Sequence, residues 1–466
     1  MLVTLFKYIV APSGPFNEIL SFLTGREVHI EWVTDELYSM PTILFYTLWT
    51  CFGGNIVLIS GAIYRIPEDI LEYAKIDGVG MARELFNVVV PLIWPTFSTL
   101  FICGTAGLFT NMGPVLLFTE GQFKTMTLGY FIFDKVTLGQ YNYPAAIGLI
   151  FTCIGVPLVL VVNAPWKSAS RLWNFKEGKA VEESFKRKNR AEKIILWLVF
   201  ALFALYAVSL LVPFVWAFFS SLKTDDEYYN KVFALPKQWL FSNYLNAFKE
   251  FKVGKTTFVE MFANSLWLAL MGSFISVMVT SMTAYTVAKY KFHGRDFLYK
   301  LAIFLMVIPV VGNLPAMYRL IVSLGLNNPI GILVLWTGGF GMNFIILHGV
   351  YKSISWTYAE AAFMDGASDT RVYWQIMLPQ ALPVLVSVGV LSCIGIWNDY
   401  TTPFLYLKNS PTLALGIYQF DIAQQYRSNI PVYYCGVLMS VIPILILYCC
   451  MQKTILTNTV AGGLKG

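Results

Sequence analysis

Two short polar phrases decide the fold: "EYAKIDGVG" (Glu72 to Gly80) and "EAAFMDGAS" (Glu360 to Ser368). They stand 288 residues apart (360 − 72), each flanked by long apolar runs. At that same offset, without a gap, the chain repeats Pro41/Pro329, Phe52/Phe340, Gly53/Gly341, Asn55/Asn343, Gly61/Gly349, Glu72/Glu360, Ala74/Ala362, Asp77/Asp365, Gly78/Gly366, Arg83/Arg371, Pro91/Pro379, Pro95/Pro383 and Gly107/Gly395. The chain therefore contains a structural duplication over at least this stretch.

A chain of 466 residues that is 57% hydrophobic, 16% aromatic and only 13% charged is too apolar for a soluble protein of that size. The fold class expected is an all-α integral membrane protein, multi-pass in the plasma membrane. Nine runs approach or exceed the roughly 20 residues that cross a bilayer core: 41–63, 92–118, 143–163, 194–219, 262–288, 297–318, 329–350, 381–403 and 431–451. The opening "MLVTLFKYIVA" lacks the basic leader and cleavage site of a signal peptide and resembles the tail of a membrane helix. The seven cysteines show no C-x-x-C spacing, and His29, His293 and His348 are scattered, so neither a metal site nor a cofactor is expected.

Nine spans put segments 64–91, 164–193, 289–296, 351–380 and the C-terminal tail on one side. Two of these hold the densest basic clusters, one running from Lys167 to Lys193, the other Lys289, Lys291 and Arg295. Positive charge marks the cytoplasmic side, so both polar phrases lie in the cytoplasm. The repeated helices at 41–63 and 329–350 then cross in the same direction, and the two repeats are parallel. Residues 166–193 are polar and of mixed charge, which reads as a linker between a first half, 1–165 with about three spans, and a complete six-helix half, 194–466.

Acidic residues at the start of a helix oppose its positive end, as Glu68, Asp69 and Glu72 do after Pro67. Thr357 and Glu360 have capping-box spacing. Each helix should stop at its glycine, Gly78 or Gly366, and a second helix should lead to Pro91 or Pro379 and back into the membrane. The small side chains Ala74, Ala361 and Ala362 would let another protein come close.

These residues resemble the cytoplasmic signature of the permease subunits of binding-protein-dependent ABC importers, maltose-type carbohydrate branch. That signature is Glu-Ala-Ala, three residues, Gly, nine residues, Ile-x-Leu-Pro. The second copy is complete: Glu360, Ala361, Ala362, Gly366, Ile376, Leu378, Pro379. In the first, Tyr73, Val88 and Val90 depart from it, while Glu72, Ala74, Gly78 and Pro91 hold. "IGIWNDYTTPF" (Ile394 to Phe404) and the closing "AGGLKG" are also similar to the second permease subunit of that branch. The chain thus resembles a fusion of two permease subunits with the first one N-terminally truncated. Either another polypeptide supplies the missing helices or the chain is an incomplete product of a longer gene; the residues leave both open.

The resemblance implies that Glu72, Tyr73, Ala74, Asp77, Gly78, Pro91 and Glu360, Ala361, Ala362, Asp365, Gly366, Pro379 form two coupling helices docking on cytoplasmic ABC ATPase subunits. An extracytoplasmic sugar-binding protein would deliver the substrate. The chain would form the translocation path and would not itself be an enzyme. "VGKTT" (Val253 to Thr257) has Lys249 where a phosphate loop needs its first glycine, so it binds no nucleotide.

Candidate path residues are Asn111, Trp397, Asn398, Asp399 and Tyr400, polar or aromatic groups within or near spans. The substrate implied is a carbohydrate, an oligosaccharide or sugar derivative, since the spans hold no basic cluster for a phosphate. The rival readings are a secondary transporter, which would call for inverted repeats and buried carboxylates, and a transport-incompetent scaffold.

Overall fold

The computed structural model describes residues 2–64, 66–76, 79–108, 110–172, 190–230, 232, 234–307, 313–424 and 429–459. The early part runs α1 (Leu2–Ile9), α2 (Pro15–Thr24), α3 (Ser39–Tyr64), α4 (Glu68–Ile76), α5 (Met81–Glu84), a π turn (Leu85–Val89), α6 (Val90–Gly107), α7 (Gly113–Phe118), α8 (Leu128–Thr137) and α9 (Asn142–Leu172). There follow α10 (Arg190–Ser221), α11 (Asp225–Asn230), α12 (Ser242–Glu250), a hairpin β1 (Lys252–Val253) and β2 (Thr256–Thr257), and α13 (Phe258–Lys289). The order closes with α14 (Arg295–Val307), α15 (Asn313–Ser323), a 3-10 turn (Gly331–Trp336), α16 (Met342–Ser353), α17 (Thr357–Met364), α18 (Asp369–Val372), a second π turn (Tyr373–Met377), α19 (Leu378–Asn398), α20 (Thr401–Tyr406), α21 (Leu413–Gln424) and α22 (Ile430–Thr459).

Several elements of the repeat recur in the backbone, although α3 is continuous where the second copy has a 3-10 turn, a break and α16. At the offset of 288, α5 matches α18, the π turn at Leu85–Val89 matches that at Tyr373–Met377, and α7 matches α20, residue for residue. Helices α9 and α22 begin at corresponding positions, Asn142 and Ile430, so the correspondence runs well past Gly107/Gly395. Both π turns are closed by the same bond, Val90 N–H to the Leu85 carbonyl and Leu378 N–H to the Tyr373 carbonyl. Pro91 and Pro379 come next. A proline offers no N–H to the turn before it, and the backbone answers with a wide i→i+5 turn at the same place in both copies.

Among the described residues, four helical rods are long and apolar enough to cross a membrane: Ile194–Ser221, Phe258–Lys289, Asp369–Asn398 and Ile430–Gln452. Several of the nine expected spans are interrupted. The run 92–118 breaks between Gly107 and Gly113, and 381–403 breaks at Asp399 and Tyr400. The run 329–350 starts as a 3-10 turn and restarts at Met342 after Gly338 and Gly339 take φ of +71° and +143°. A hydropathy window sums over such breaks. Irregular backbone survives at membrane depth where protein surrounds it.

Helix α13 is the hub of the second repeat and packs along α16 and α19. Its buried face joins Phe344, Leu347, Tyr351, Tyr373, Met377 and Leu385 in one core. The hydroxyl of Ser281 lies 2.6 Å from that of Tyr351 and 2.9 Å from that of Tyr373, fixing the rotation of α13 on the other two elements. Thr257 and Glu260 form a capping box at the start of α13. The "VGKTT" stretch before it is the tight β1–β2 turn, with Gly254 at φ +58°.

The repeats are joined at several levels. The Trp49 indole donates to Ser209 Oγ (2.9 Å) and the Tyr206 hydroxyl donates to the Trp49 carbonyl (2.9 Å), leaning α10 on α3. Tyr141 stacks on Tyr318 at 5.4 Å, and Arg319 donates to Asn142 Oδ1 at 3.0 Å. The opening helix α1 is wedged between them: Leu5 sits with Trp216, Tyr433 and Tyr434, whereas Phe6 sits with Tyr46, Trp49 and Phe118.

Candidate coupling loops and path

In the second copy, α17 begins at Thr357 without the expected capping box. Ser355 Oγ accepts from the Thr357 N–H at 3.3 Å instead, so the side chain two residues earlier performs the cap and Glu360 stays free to face outward. The helix ends as expected. Gly366 takes φ +78°, and the Ala367 N–H reaches the Ala362 carbonyl at 2.9 Å, the closing bond of a Schellman turn. In the first copy the corresponding bond is present, with the Val79 N–H on the Ala74 carbonyl at 3.1 Å. Asp77 and Gly78 lie outside the described residues. Pro67 stands one position before α4 rather than inside it, and its carbonyl accepts from Ile70.

The faces sort cleanly. Glu72 and Glu360 are exposed, and neither forms an ion pair among the described residues. Tyr73 and its counterpart Ala361 are exposed as well, as is Asp365 at the helix end. Ala74 and Ala362 are buried against the body of the protein, at 8% and 9% exposure. Their small size lets α4 and α17 sit close to their own chain, which corrects the expectation that all three alanines face a partner. Pro91 is half-buried and Pro379 exposed, each the second residue of its helix, α6 and α19.

Two features of the loops escaped sequence reasoning. Ile76 and Met364, again 288 apart, are exposed apolar side chains at the tips of α4 and α17 (63% and 89%). The repeat offset was enough to pair them, but neither carries polar chemistry to draw notice. The second is the brace beneath α17. Lys289 Nζ donates to the Ile354 carbonyl, the Tyr290 hydroxyl donates to Asp369 Oδ1 at 2.7 Å, and Trp356 lies edge-on to Tyr290 at 5.9 Å. Burial, with Tyr285 and Asp369 beside it, pushes the Tyr290 hydroxyl well above its ordinary pKa, so it stays a donor. These partners are 65 and 79 residues apart, beyond any local pattern.

Most of the candidate path residues have local or helix-packing partners. Trp397 is buried and its indole donates to the Ser440 carbonyl at 3.2 Å, so it packs α19 against α22. Asn398 is exposed but its amide donates to Ile394 of its own helix. Asp399 Oδ1 accepts from the N–H groups of Thr401 and Thr402, capping α20. Tyr400 donates its hydroxyl to the Gly113 carbonyl at 3.2 Å, a bond between the repeats. Asn111, at the position equivalent to Asp399, is exposed, and its carbonyl accepts from Thr127. Asn343 reaches Ser392 Oγ at 3.4 Å, a helix-to-helix bond.

A duplicated helical body with membrane-length rods and two matched helix–turn–helix loops is the architecture of a multi-pass membrane protein. The chain belongs to the family described as binding-protein-dependent transport system inner membrane component, which it matches over residues 1–164 and again over 277–453. It is 28% identical over 266 residues to the diacetylchitobiose uptake system permease protein NgcG of Streptomyces coelicolor, covering 56% of this chain and 86% of the relative. It is 27% identical over 283 residues to the probable starch degradation products transport system permease protein AmyC of Thermoanaerobacterium thermosulfurigenes, covering 60% and 99%. A solved bacterial ABC transporter involved in the import of the acidic polysaccharide alginate aligns with a TM-score of 0.48 and 25% identity over 58% of this chain and 99% of that one. By its family, the protein is a membrane permease component of a binding-protein-dependent importer of the ABC type. Members of this family work with a separate ATPase, which hydrolyses the ATP, and with a substrate-binding protein.

Proposed function

We propose that this chain forms the translocation path of a carbohydrate importer and that its two loops, α4 with α5 and α17 with α18, couple that path to cytoplasmic ABC ATPase subunits. The observation that carries the coupling role is the identity of the two loops. The helix, closing bond, π turn and proline all recur at one offset, and a symmetric ATPase pair presents two equal grooves. Glu72 and Glu360 are the polar anchors, Tyr73 and Ala361 the contact surface, and Asp77, Gly78, Asp365 and Gly366 shape the turns. Pro91 and Pro379 begin the rods that carry a rigid-body push into the membrane. Carbohydrate as cargo is supported by the relatives, whose names assign them diacetylchitobiose and starch degradation products; an oligosaccharide or sugar derivative fits best.

In this reading residues 1–165 belong to a first permease half, 166–193 are a cytoplasmic linker and 194–466 form a second half. The test is to tag the C-terminus in the native host, purify in mild detergent, and compare the parent with the Glu72→Lys, Glu360→Lys double variant. An ATPase should accompany the parent and be lost from the variant, and reconstituted parent complex should take up labelled oligosaccharide only with ATP and binding protein. A parent complex with no ATPase, or with ATPase but no sugar uptake across an oligosaccharide panel, would sink the coupling or the cargo assignment respectively.

A further inference from the structure

Positive charge is ordinarily sparse on the outer side of a membrane protein, yet the segment leading into α13 is rich in lysine. Lys289, at the far end of α13, holds the loop of α17, so the Phe258 end of that helix opens on the opposite side of the membrane. There Lys249 lies in the last turn of α12, and Lys252 and Lys255 stand in the β1–β2 hairpin. All three are exposed, and none forms an ion pair among the described residues. The acids beside them are engaged: Glu250 accepts from Asn429 at 3.1 Å, and Glu260 completes the capping box at Thr257. Helix α12 itself has two faces. Asn243 and Ala247 are buried in the protein, whereas Leu245 and Phe248 are 66% and 43% exposed, the pattern of a helix lying in the membrane interface.

Phe248 and Phe258, next to these lysines in sequence, line a groove of about 760 Å³. Its walls are α13, from Phe258 to Leu270, and α22, from Met439 to Cys450, with Trp397 of α19 between them. Pro443 lies inside α22 and lines the groove as well; a proline there forfeits a backbone bond and bends the rod. No lining residue is charged or carries an amide or hydroxyl, and the Trp397 indole is spent on Ser440, so the groove offers a sugar nothing to bond. We infer that the groove and the three lysines together form a phospholipid site, with one acyl chain between α13 and α22 and an acidic headgroup at Lys249, Lys252 and Lys255. Length separates this occupant from a transmembrane helix. Twelve residues of α13 rise about 18 Å, close to the roughly 15 Å of one leaflet and well short of the roughly 30 Å a spanning helix would need. Charge separates it from a neutral lipid, because lysines at a membrane surface draw acidic headgroups. The site is distinct from the coupling loops and does not depend on the cargo.

The test reconstitutes the tagged full chain, with whatever co-purifies, into vesicles containing a trace of phospholipid with a diazirine in mid-chain. The headgroup is phosphatidylglycerol in one set and phosphatidylcholine in the other, and adducts are mapped by mass spectrometry after irradiation. Adducts should concentrate at Leu266, Leu270 and Ile446, above those on the open face of α10 at Leu202 and Leu205, which are 66% and 73% exposed and serve as the comparison for ordinary boundary lipid. The phosphatidylglycerol probe should label the groove about fivefold more than the phosphatidylcholine probe, the size that one lysine at a membrane surface supplies. The triple variant Lys249→Gln, Lys252→Gln, Lys255→Gln should abolish that preference, and Leu266→Trp with Leu270→Trp should remove the groove adduct for both probes. Should the tryptophan variant fail to fold, the surface glutamine variant decides alone. Labelling no denser in the groove than on α10, equal labelling by the two headgroups, or a preference that survives the triple variant overturns the inference, as does a crosslink showing a segment of another polypeptide in the groove.

Discussion

Lys7 of α1 and Asp421 of α21 form an ion pair at 3.3 Å, 414 residues apart in sequence, and the Tyr8 hydroxyl donates to the other carboxylate oxygen at 2.8 Å. Asp421 is 4% exposed, so its charge is held by these two side chains of the opening helix. Helix α1 is thereby part of the interface between repeats.

Asp421→Asn should loosen that interface. Breaking a fully buried pair costs roughly 3–5 kcal/mol, and because the Lys7 side chain keeps some solvent the expected loss is about 1–3 kcal/mol. Thermal unfolding in detergent should show a lower Tm for Asp421→Asn, and the double variant Lys7→Met, Asp421→Leu should recover most of it. An unchanged Tm in the single variant would mean the pair contributes nothing.

Gly366 holds φ +78° at the end of α17, a conformation that costs an L side chain roughly 1–2 kcal/mol. Gly366→Val should therefore misplace the tip of the loop and reduce ATPase co-purification, while Gly366→Asn, which tolerates that conformation better, should be milder. Equal retention of ATPase by both variants would show that the turn is dispensable.

Ala359 and Ala361 are two residues apart and face opposite ways, the first fully buried and the second exposed. Ala359→Leu should overpack the core and destabilise by about 1–3 kcal/mol. Ala361→Leu should leave the Tm unchanged but weaken ATPase binding. If the two effects were exchanged, the assignment of faces on α17 would be wrong.

Asp225 opens the short helix α11 outside the spans, and its Oδ1 has no hydrogen-bond partner among the described residues. Burial first, then Asp226 and Glu250, raises its carboxyl above the ordinary range. A carboxyl raised in the folded state favours folding when protonated, so this contribution is present at acid pH and lost as pH rises through the folded pKa. Asp225→Asn should accordingly raise the Tm at neutral pH, and the gain should shrink on acidification. A gain that grew toward acid pH would contradict the sign.

Membrane class, duplication and the two loops were legible in the residues themselves. Apolar content sets the solvent, an ungapped offset of 288 marks the repeat, and a glycine nine residues after a helix-favouring, acid-rich start is local chemistry that needs no distant partner. The path residues were less legible. Trp397 and Asp399 carry functional chemistry in any list of side chains, yet one packs helices and the other caps one.

What the sequence by itself determined is therefore everything governed by near neighbours and by composition: helices, turn glycines, the loop phrase and its second occurrence. Only the tertiary structure decided which alanines face inward, that Ser355 rather than Thr357 caps α17, and that apolar runs break at Gly107 and at Gly338. These depend on which helix lies alongside. A helix such as α13 acts on residues up to about a hundred positions away, as Ser281 does on Tyr373, and no local rule of spacing encodes which face such a neighbour will cover.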